Sequence, residues 1–275
     1  MAWRLQRPAD RDAFRARYGP WALVAGASEG IGAAFANALA ELGLDLVLVA
    51  RRPAPLETQA AAIRARHGVE VALVAADLGQ EDVLATIGPA MADRAVGLVV
   101  YNAAASTIGP FVDASPPSRL ASVHVNCRGP LLLLPPLIDG MRARGRGGIV
   151  LMSSVSGVIG TAMVTTYAAT KAFTQVLGEG LWEELRPHGI DVVVSVAGAV
   201  STPGFLASTP AAKRSAAYPI TPEEVARDAL THLRDGPVTI PGLRSKLAVT
   251  LLTRILGRRR AVRFISARTR RLYER

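Results

Sequence analysis

Two side chains that can exchange or hold a proton stand four residues apart in Tyr167-Ala-Ala-Thr-Lys171. This spacing places both on one face of a helix. Ser153-Ser154 comes shortly before them, at the end of an apolar run. Tyrosine has an ordinary pKa near ~10, and a neighbouring ammonium favours its phenolate. The pattern therefore predicts that Lys171 lowers the pKa of Tyr167. Tyr167 can then exchange a proton with a carbonyl or hydroxyl oxygen that Ser154 also hydrogen-bonds.

A glycine-rich turn lies between the first apolar run and the first helical segment, in Ala25-Gly26-Ala27-Ser28-Glu29-Gly30-Ile31-Gly32. Gly26 permits a tight turn, Gly30 lets the backbone approach a pyrophosphate, and Gly32 lets the helix pack closely on the strand. Backbone N–H groups at the start of the helix would face the anion. The turn indicates a dinucleotide site, and a ligand-free glycine-rich corner is the alternative.

The end of the second apolar run bears on the choice of dinucleotide. An Asp or Glu about twenty residues after the glycine turn would bond the ribose 2′-hydroxyl of NAD and repel a 2′-phosphate. This chain has Ala50-Arg51-Arg52 there, and guanidinium groups form charge-assisted bidentate bonds with phosphate. The sequence predicts NADP(H) in preference to NAD(H), with Arg51 as the contact and Arg52 turned more toward solvent.

The elements that must position these groups alternate along the chain. The apolar runs are rich in Val, Leu and Ile without strict alternation, as in strands covered on both faces. Strands are predicted at residues 21–25, 44–50, 69–75, 96–101, 148–152, 190–196 and 237–240. Helices are predicted at 10–18, 30–43, 54–67, 80–93, 116–144, 166–187 and 222–235. This alternation predicts an α/β fold with a Rossmann-type, doubly wound parallel sheet. Pro135-Pro136 should kink or split the 116–144 helix.

Composition limits the class of protein. Half of the 275 residues are hydrophobic, which excludes a disordered or collagen-like chain and predicts a large core. Cys127 is the one cysteine, so no internal disulfide can form, and the four histidines show no zinc-ligand spacing. No metal site is predicted. The first residues carry Arg and Asp without an apolar stretch, so we expect a cytoplasmic protein.

The net charge of +10 belongs to one segment. Residues 1–243 hold 21 basic and 21 acidic residues, whereas residues 244–275 hold 11 basic residues and Glu274. Leu247, Leu251, Leu252, Ile255 and Leu256 share one helical face there. Such a segment can dock on the body or on a partner subunit, which we favour, or lie on an anionic membrane as a peripheral contact. Nucleic acid is not expected as a partner, because no base-reading motif accompanies the arginines.

Over roughly residues 20–242 the chain resembles the short-chain dehydrogenase/reductase family. The family's motifs occur in its order: Gly26, Gly30 and Gly32, then Asp77, Asn102, Asn126, Ser154, Tyr167 and Lys171, then Gly198 to Thr202. The resemblance implies an oxidoreductase that interconverts a carbonyl and an alcohol, and the arginines at 51 and 52 indicate NADP(H) as its cofactor. We divide the chain into a helical lead-in (1–19), a dinucleotide-binding catalytic domain (20–242) and a basic amphipathic C-terminal extension (243–275).

The resemblance also implies roles for individual residues. Tyr167 is the general acid/base, Lys171 activates it and binds the nicotinamide ribose, and Ser154 orients the carbonyl. Asn126 holds Lys171 through a water, and Asn102 braces the central strand. The predicted cofactor contacts are Gly26, Ser28, Gly30, Ile31, Gly32, Arg51, Asp77, Leu78, Asn102, Ala103, Tyr167, Lys171, Gly198, Val200 and Thr202. Two departures from the family, Ala104 for Gly and Ala197 for Pro, concern cofactor affinity rather than the reacting groups.

The sequence gives less information about the substrate than about the reaction. Residues 199–220 should form a mobile lid that is mostly small or apolar. Val155, Ile159 and Met163 could line an apolar pocket or belong to the core. The pattern favours a lipophilic ketone or alcohol (steroid-like, 3-ketoacyl or aryl). By resemblance, a homodimer or homotetramer should pair through helices 116–144 and 166–187.

A second hypothesis is a catalytically idle NADP-sensing protein whose basic tail recruits a partner or a membrane. Such proteins commonly lose the reactive Tyr or Lys. This chain retains Tyr167 and Lys171, which counts against that hypothesis.

Overall fold

The computed structural model describes residue 5 and residues 7–273. Seven strands form one sheet in the order β3-β2-β1-β4-β5-β6-β7, and all neighbouring strands are parallel. They are β1 (Trp21–Ala25), β2 (Asp45–Ala50), β3 (Val71–Ala75), β4 (Val96–Tyr101), β5 (Gly147–Ser154), β6 (Ile190–Ala197) and β7 (Val238–Thr239). The predicted Rossmann-type sheet is confirmed. Its order reverses between β1 and β4, and ligands of such sheets bind outside the carboxyl ends of the strands at that point.

Helices cover both faces of the sheet. Alternate residues of β2 face opposite sides of the sheet, as the two-residue period of a strand requires. Leu46 and Leu48 belong to one apolar core, and Val47 and Val49 belong to the other. The helices are α1 (Pro8–Tyr18), α2 (Gly30–Glu41), α3 (Pro53–His67), α4 (Val83–Ala92), α5 (Pro116–Val123), α6 (Gly129–Arg144), α7 (Val155–Val158), α8 (Thr165–Leu185), α9 (Pro203–Ser208), α10 (Ala211–Arg214), α11 (Pro222–Thr231), α12 (Leu243–Thr250) and α13 (Arg258–Tyr273). α2, α3 and α11 pack on the first core, and α4, α6 and α8 on the second.

The long predicted helix 116–144 is interrupted, but not at its prolines. α5 passes into a π turn at His124–Arg128, and α6 then runs through Pro135 and Pro136. The expected split at the prolines is therefore wrong. The side chain of Asn126 explains the position of the irregular turn, because it is fixed by hydrogen bonds to other parts of the molecule.

The C-terminal extension is helical as well. α12 continues into a second π turn at Leu251–Ile255, and α13 follows after a short break. Across residues 5 and 7–273, no helix combines the length and the hydrophobicity that a membrane-spanning segment needs.

Candidate active site

The end of β5 and the first turns of α8 hold the reactive side chains together. The Ser153 hydroxyl donates to the backbone oxygen of Lys171 at 2.7 Å, which ties the strand to the helix. A Cβ on Gly157 would lie 2.6 Å from the Lys171 carbonyl carbon, so α7 passes directly against α8. Ser154, Tyr167 and Lys171, which sequence spacing predicts to cooperate, therefore meet at the carboxyl edge of the sheet.

The Ser154 side chain lies close enough to the Tyr167 hydroxyl to lower its pKa. Ser154 Oγ accepts the backbone N–H of Ser156 at 3.2 Å, which fixes its side chain. Burial nevertheless raises the pKa of Tyr167 to about 12, and Tyr273 of α13 raises it further. The predicted net lowering of the Tyr167 pKa is wrong, because the pKa is raised despite the neighbouring amine. Desolvation of the phenolate dominates, so the phenol is protonated at neutral pH.

Lys171 is directed at β5 as well as at the tyrosine. Its Nζ donates to the Met152 carbonyl oxygen at 2.7 Å and lies 5.6 Å from the centre of the Tyr167 ring. Burial lowers the pKa of Lys171 to about 8, with an opposing effect of Cys127. The amine is thus held beside the phenol, and it can change charge near neutral pH.

Asn126 lies behind this pair in the π turn and is buried. Its Oδ1 accepts the backbone N–H of Ala105, and its Nδ2 donates to the Ala105 carbonyl and to the Thr170 hydroxyl, each at 2.8 Å. The side chain therefore clamps the loop after β4 to α8. The water-mediated contact with Lys171 implied by the family resemblance stays a prediction.

The loop before Tyr167 is fixed from the other side. Met163 has a φ of +68°, which non-glycine residues rarely adopt, and its carbonyl accepts the Gly109 N–H at 2.7 Å. The 159–164 loop and the loop after β4 therefore face each other across the entrance to the site.

The glycine turn has the shape that a dinucleotide needs. Gly26 has a φ of +84°, and a Cβ there would lie 2.8 Å from the backbone of Ala103. A Cβ on Gly30 would lie 2.9 Å from the Thr202 methyl, and one on Gly32 would clash with the Gly26 carbonyl. No side chain caps the first turn of α2, so its N–H groups can bind a pyrophosphate. The predicted contacts Ser28 and Ile31 lie in this same turn and first helical residues.

Asn102 and Asp77 shape the rest of this edge. Asn102 Nδ2 donates to the Gly26 carbonyl at 3.0 Å, so it braces the turn against β4. Asp77 follows β3 and accepts the Gly79 N–H at 2.9 Å, and Leu78 beside it is buried. The residues present therefore fit an adenine-nucleotide dinucleotide along the ends of β1 to β4.

Two arginines lie after β2, as expected for a 2′-phosphate contact. Arg51 is exposed at the bend. Arg52 does not simply point into solvent, because its guanidinium pairs with Glu29 of the glycine turn at 2.7 Å. Glu29 therefore holds Arg52 next to the turn, a contact that sequence reasoning missed.

The segment after β6 lies over the site and forms the predicted lid. Val200 pairs with Ile220, and the Ser201 N–H donates to the Ile220 carbonyl at 2.9 Å. The predicted lid is thus joined at its base and contains α9 and α10. Thr202 caps α9 by accepting the Phe205 N–H at 3.2 Å and lies against Gly30, while Gly198 lies against α12.

The C-terminal extension packs over this entrance. The Ala162 N–H donates to Ser266 Oγ at 3.1 Å, and the hydroxyls of Thr161 and Thr269 are 3.0 Å apart. Ile159 is buried against Leu252 and Ala261, so it belongs to this contact rather than to an open pocket. The favoured docking on the body is what the structure shows.

Two residues of the extension were missed by sequence reasoning. A Cβ on Gly198 would lie 2.5 Å from Ser245 Oγ, and Tyr273 is near enough to raise the pKa of Tyr167. A signal for Tyr273 was present in the sequence. Ser266, Thr269 and Tyr273 follow one another at helical spacing and form a hydroxyl-bearing face of α13.

Comparison with known proteins agrees with this geometry. The family model of the short chain dehydrogenases matches residues 20–212. A 7beta-hydroxysteroid dehydrogenase of Clostridium sardiniense is 33% identical over 220 residues, which cover 80% of this chain and 84% of that protein. The chain belongs to the short-chain dehydrogenase/reductase family of oxidoreductases.

Solved structures extend the likeness beyond the family core. A 7beta-hydroxysteroid dehydrogenase structure superposes with a TM-score of 0.87 at 29% identity and covers 92% of this chain and 98% of its own. A short-chain dehydrogenase from Sphingobium yanoikuyae in complex with NADPH gives a TM-score of 0.75 at 32% identity, with 82% and 89% covered.

Proposed function

We propose that this protein is an NADP(H)-dependent oxidoreductase that interconverts a carbonyl and an alcohol on a lipophilic substrate. The observation that carries the proposal is the convergence of the Ser154 and Tyr167 side chains beside the buried amine of Lys171. Two hydroxyl donors that converge at one point suit a carbonyl oxygen, which has two lone pairs.

In the direction of reduction, Ser154 and Tyr167 donate hydrogen bonds to the substrate carbonyl and orient it. When bound, the reduced nicotinamide supplies the hydride. As negative charge develops on the substrate oxygen, Tyr167 gives up its proton to it, so that carbonyl becomes alcohol. The phenol is in its proton-donating form at neutral pH, because burial raises its pKa. The Lys171 ammonium stabilises the phenolate that results.

The preference for NADP(H) is supported by the two arginines after β2. Arg51 is exposed at the edge where a 2′-phosphate would lie, and Arg52 is held nearby by Glu29. A similar protein is known in complex with NADPH. The phosphate would be recognised by guanidinium groups rather than by backbone alone.

A steroid-like ketone or alcohol is the first substrate class to test. The similar 7beta-hydroxysteroid dehydrogenases support it. The entrance also supports it, since Met163, in the loop before Tyr167, is a half-buried apolar residue there, whereas Val155 packs against the second core. A 3-ketoacyl substrate is the second class.

We further infer a homodimer or homotetramer. Large apolar side chains are exposed on the helices that the family resemblance names, among them Leu120 of α5, Leu131 of α6 and Val176 of α8. Burial of these side chains in a subunit contact would remove apolar surface from water. Sedimentation velocity of the full chain measures the subunit number.

The decisive experiment replaces Tyr167 by Phe and follows NADPH oxidation with a panel of steroid and other bulky ketones. Removal of the hydroxyl should lower kcat by about 10²- to 10⁴-fold and change NADPH affinity far less, because the other predicted cofactor contacts remain. Tyr218→Phe is the matched control, because Tyr218 is an exposed lid residue, and it should retain activity. A Tyr167→Phe protein with wild-type turnover would remove the assignment.

The idle sensor hypothesis makes the opposite prediction for the wild-type protein. It expects NADPH binding without turnover of any ketone in the panel. The preserved Ser154–Tyr167 contact argues for turnover.

A further inference from the structure

The C-terminal extension, residues 243–273, has apolar side chains on two sides. Leu252 and Ala261 are buried against Ile159 and form the inner side. On the outer side Leu243 is 72% exposed, Leu247 61% and Ile255 71%. Leu243 and Leu247 are four residues apart in α12 and therefore lie on one face. Docking on the body leaves this outer stripe uncovered.

The same outer side is strongly basic. Ten Lys or Arg residues lie between positions 244 and 271, and all are exposed. No Asp or Glu occurs between residues 243 and 273. The rest of the chain is balanced in charge, so the positive field of the molecule originates from this segment.

An anionic lipid bilayer is the occupant that matches both properties. Leucine and isoleucine side chains can enter the acyl boundary while arginines pair with anionic headgroups. A second copy of this face would bring two strongly positive surfaces together. A nucleic acid would pair with the arginines but leave the exposed leucines in water.

The position of this surface relates it to the site. The inner side of the extension contacts the loop before Tyr167, through Ser266 and Ala162, and Gly198 after β6, through Ser245. Arg244 stacks on the Tyr218 ring of the lid, with its guanidinium carbon 3.8 Å from the ring centre. The outer stripe and the lid therefore border the same entrance.

We propose that the outer side of residues 243–273 docks on anionic membranes, so that the lipophilic substrate reaches the site from the bilayer. The docking itself follows from the exposed stripe and the arginines. The route taken by the substrate rests on the proposed function.

Co-sedimentation of the full chain with vesicles tests the docking. Vesicles of phosphatidylcholine with phosphatidylglycerol should bind the protein, and vesicles of phosphatidylcholine alone should bind it at least tenfold less. High salt should weaken the binding, because the headgroup contacts are screened. Equal binding to both vesicles, or binding to neither, overturns the proposal.

Two variants separate the contributions of the outer side. Leu243→Ser/Leu247→Ser/Ile255→Ser should reduce binding to anionic vesicles at least tenfold, and Arg258→Gln/Arg259→Gln/Arg260→Gln should reduce its dependence on salt. The matched control is Ile108→Ser/Val112→Ser, which removes exposed apolar side chains from the loop after β4, outside residues 243–273, and should bind as wild type does. A triple-serine variant that binds as wild type overturns the proposal.

Two further readouts identify a different occupant. Retention on polyglutamate without vesicle binding would indicate an acidic protein partner in place of the membrane. Concentration-dependent self-association that the triple-serine variant abolishes, again without vesicle binding, would indicate a second copy of this chain. Either result overturns the proposal.

Turnover measurements distinguish a failure of the docking proposal from a failure of the proposed function. On a water-soluble ketone, the triple-serine variant should match the wild type, since none of its residues belongs to the reacting groups. On a ketone dissolved in anionic vesicles, the wild type should be several-fold faster than the variant. No turnover by either protein on any ketone would refute the proposed function while leaving the vesicle result to stand.

Discussion

α1 and the C-terminal extension both lie outside the part of the chain that matches the family model, and they occupy opposite edges of one sheet. α1 packs at the amino edge, where the Tyr18 ring would lie 2.9 Å from a Cβ on Gly148 at the start of β5. The extension packs at the carboxyl edge, where Ser245 meets Gly198 after β6.

Different interactions hold the two segments. Arg17 forms a bidentate pair with Asp191 at 2.5 and 2.8 Å, and the buried Tyr18 hydroxyl donates to the same carboxylate at 2.6 Å. The extension is held by neutral hydroxyl contacts and a small apolar cluster. The contacts of α1 at the amino edge therefore stabilise the fold. The contacts of the extension at the carboxyl edge are weaker, so the entrance to the site is held less firmly.

The largest expected effect is at the amino edge. Asp191→Ala leaves the Arg17 guanidinium and the buried Tyr18 hydroxyl without their acceptor. The free energy of unfolding should fall by about 3 kcal/mol, as measured by urea denaturation, while turnover of the folded protein is retained. Asp10→Ala is the control, because its pair with Arg7 is exposed, and it should cost about 0.5 kcal/mol or less. If Asp191→Ala lost turnover without losing stability, the contrast between the two edges of the sheet would be contradicted.

At the carboxyl edge we expect kinetic effects without large changes in stability. Arg51→Ala should lower kcat/KM for NADPH by about 10- to 100-fold, because it removes a charge-assisted contact to the 2′-phosphate. The value for NADH should hardly change. Arg66→Ala, on the exposed end of α3, provides the control for loss of a positive charge. Equal losses with both dinucleotides would show that Arg51 does not read the phosphate.

The pH dependence of activity should differ from that of stability, because the titrating groups lie at opposite edges of the sheet. Burial lowers the pKa of Lys171 to about 8, and the proposed reaction needs the ammonium. Ketone reduction should therefore lose kcat/KM about tenfold per pH unit above pH ~8. Tyr167, with a pKa of about 12, keeps its proton over this range.

Stability should follow a different pH dependence. Burial and the bond to Asp191 raise the pKa of Tyr18 above that of an unfolded tyrosine. The stability linked to it is fully present below pH ~10 and is lost as the pH rises further. Activity profiles and thermal unfolding over the same pH values check both statements, and a flat activity profile through pH 8 would contradict the first.

The smallest effect concerns the hydroxyl contacts of α13. Ser266→Ala/Thr269→Val should cost about 1–2 kcal/mol of stability and raise KM for a lipophilic ketone a few-fold, because the wall beside Tyr167 is less firmly docked. Thr58→Val, on the exposed side of α3, removes a hydroxyl far from the site. An unchanged KM would mean that the extension takes no part in the entrance.

Much of the architecture could be predicted because it depends on local pattern. The limits of β1 and β4 agree with the predicted ranges, since both strands are continuous apolar runs bounded by clear breaks. Ser154 and Tyr167 meet because α8 begins at the carboxyl edge of the sheet, where β5 ends. These features need no knowledge of distant contacts.

What could not be predicted depends on tertiary contacts. The π turn around Asn126 exists because that side chain reaches Ala105 and Thr170, whereas proline alone suggested a break further on. The pKa of Tyr167 depends on burial, which spacing to Lys171 does not reveal. The amphipathic pattern of the extension gave no indication that one apolar side would dock and another would face outward.

The proximity of Tyr273 to Tyr167 has a practical consequence for handling the protein. A bulky label attached to Tyr273 would lie close to the proton donor and crowd incoming ligands. A label on the exposed side of α1 would lie on the far side of the sheet from the reacting groups. Labels for kinetic measurements are therefore best placed on α1 rather than on the last turn of α13.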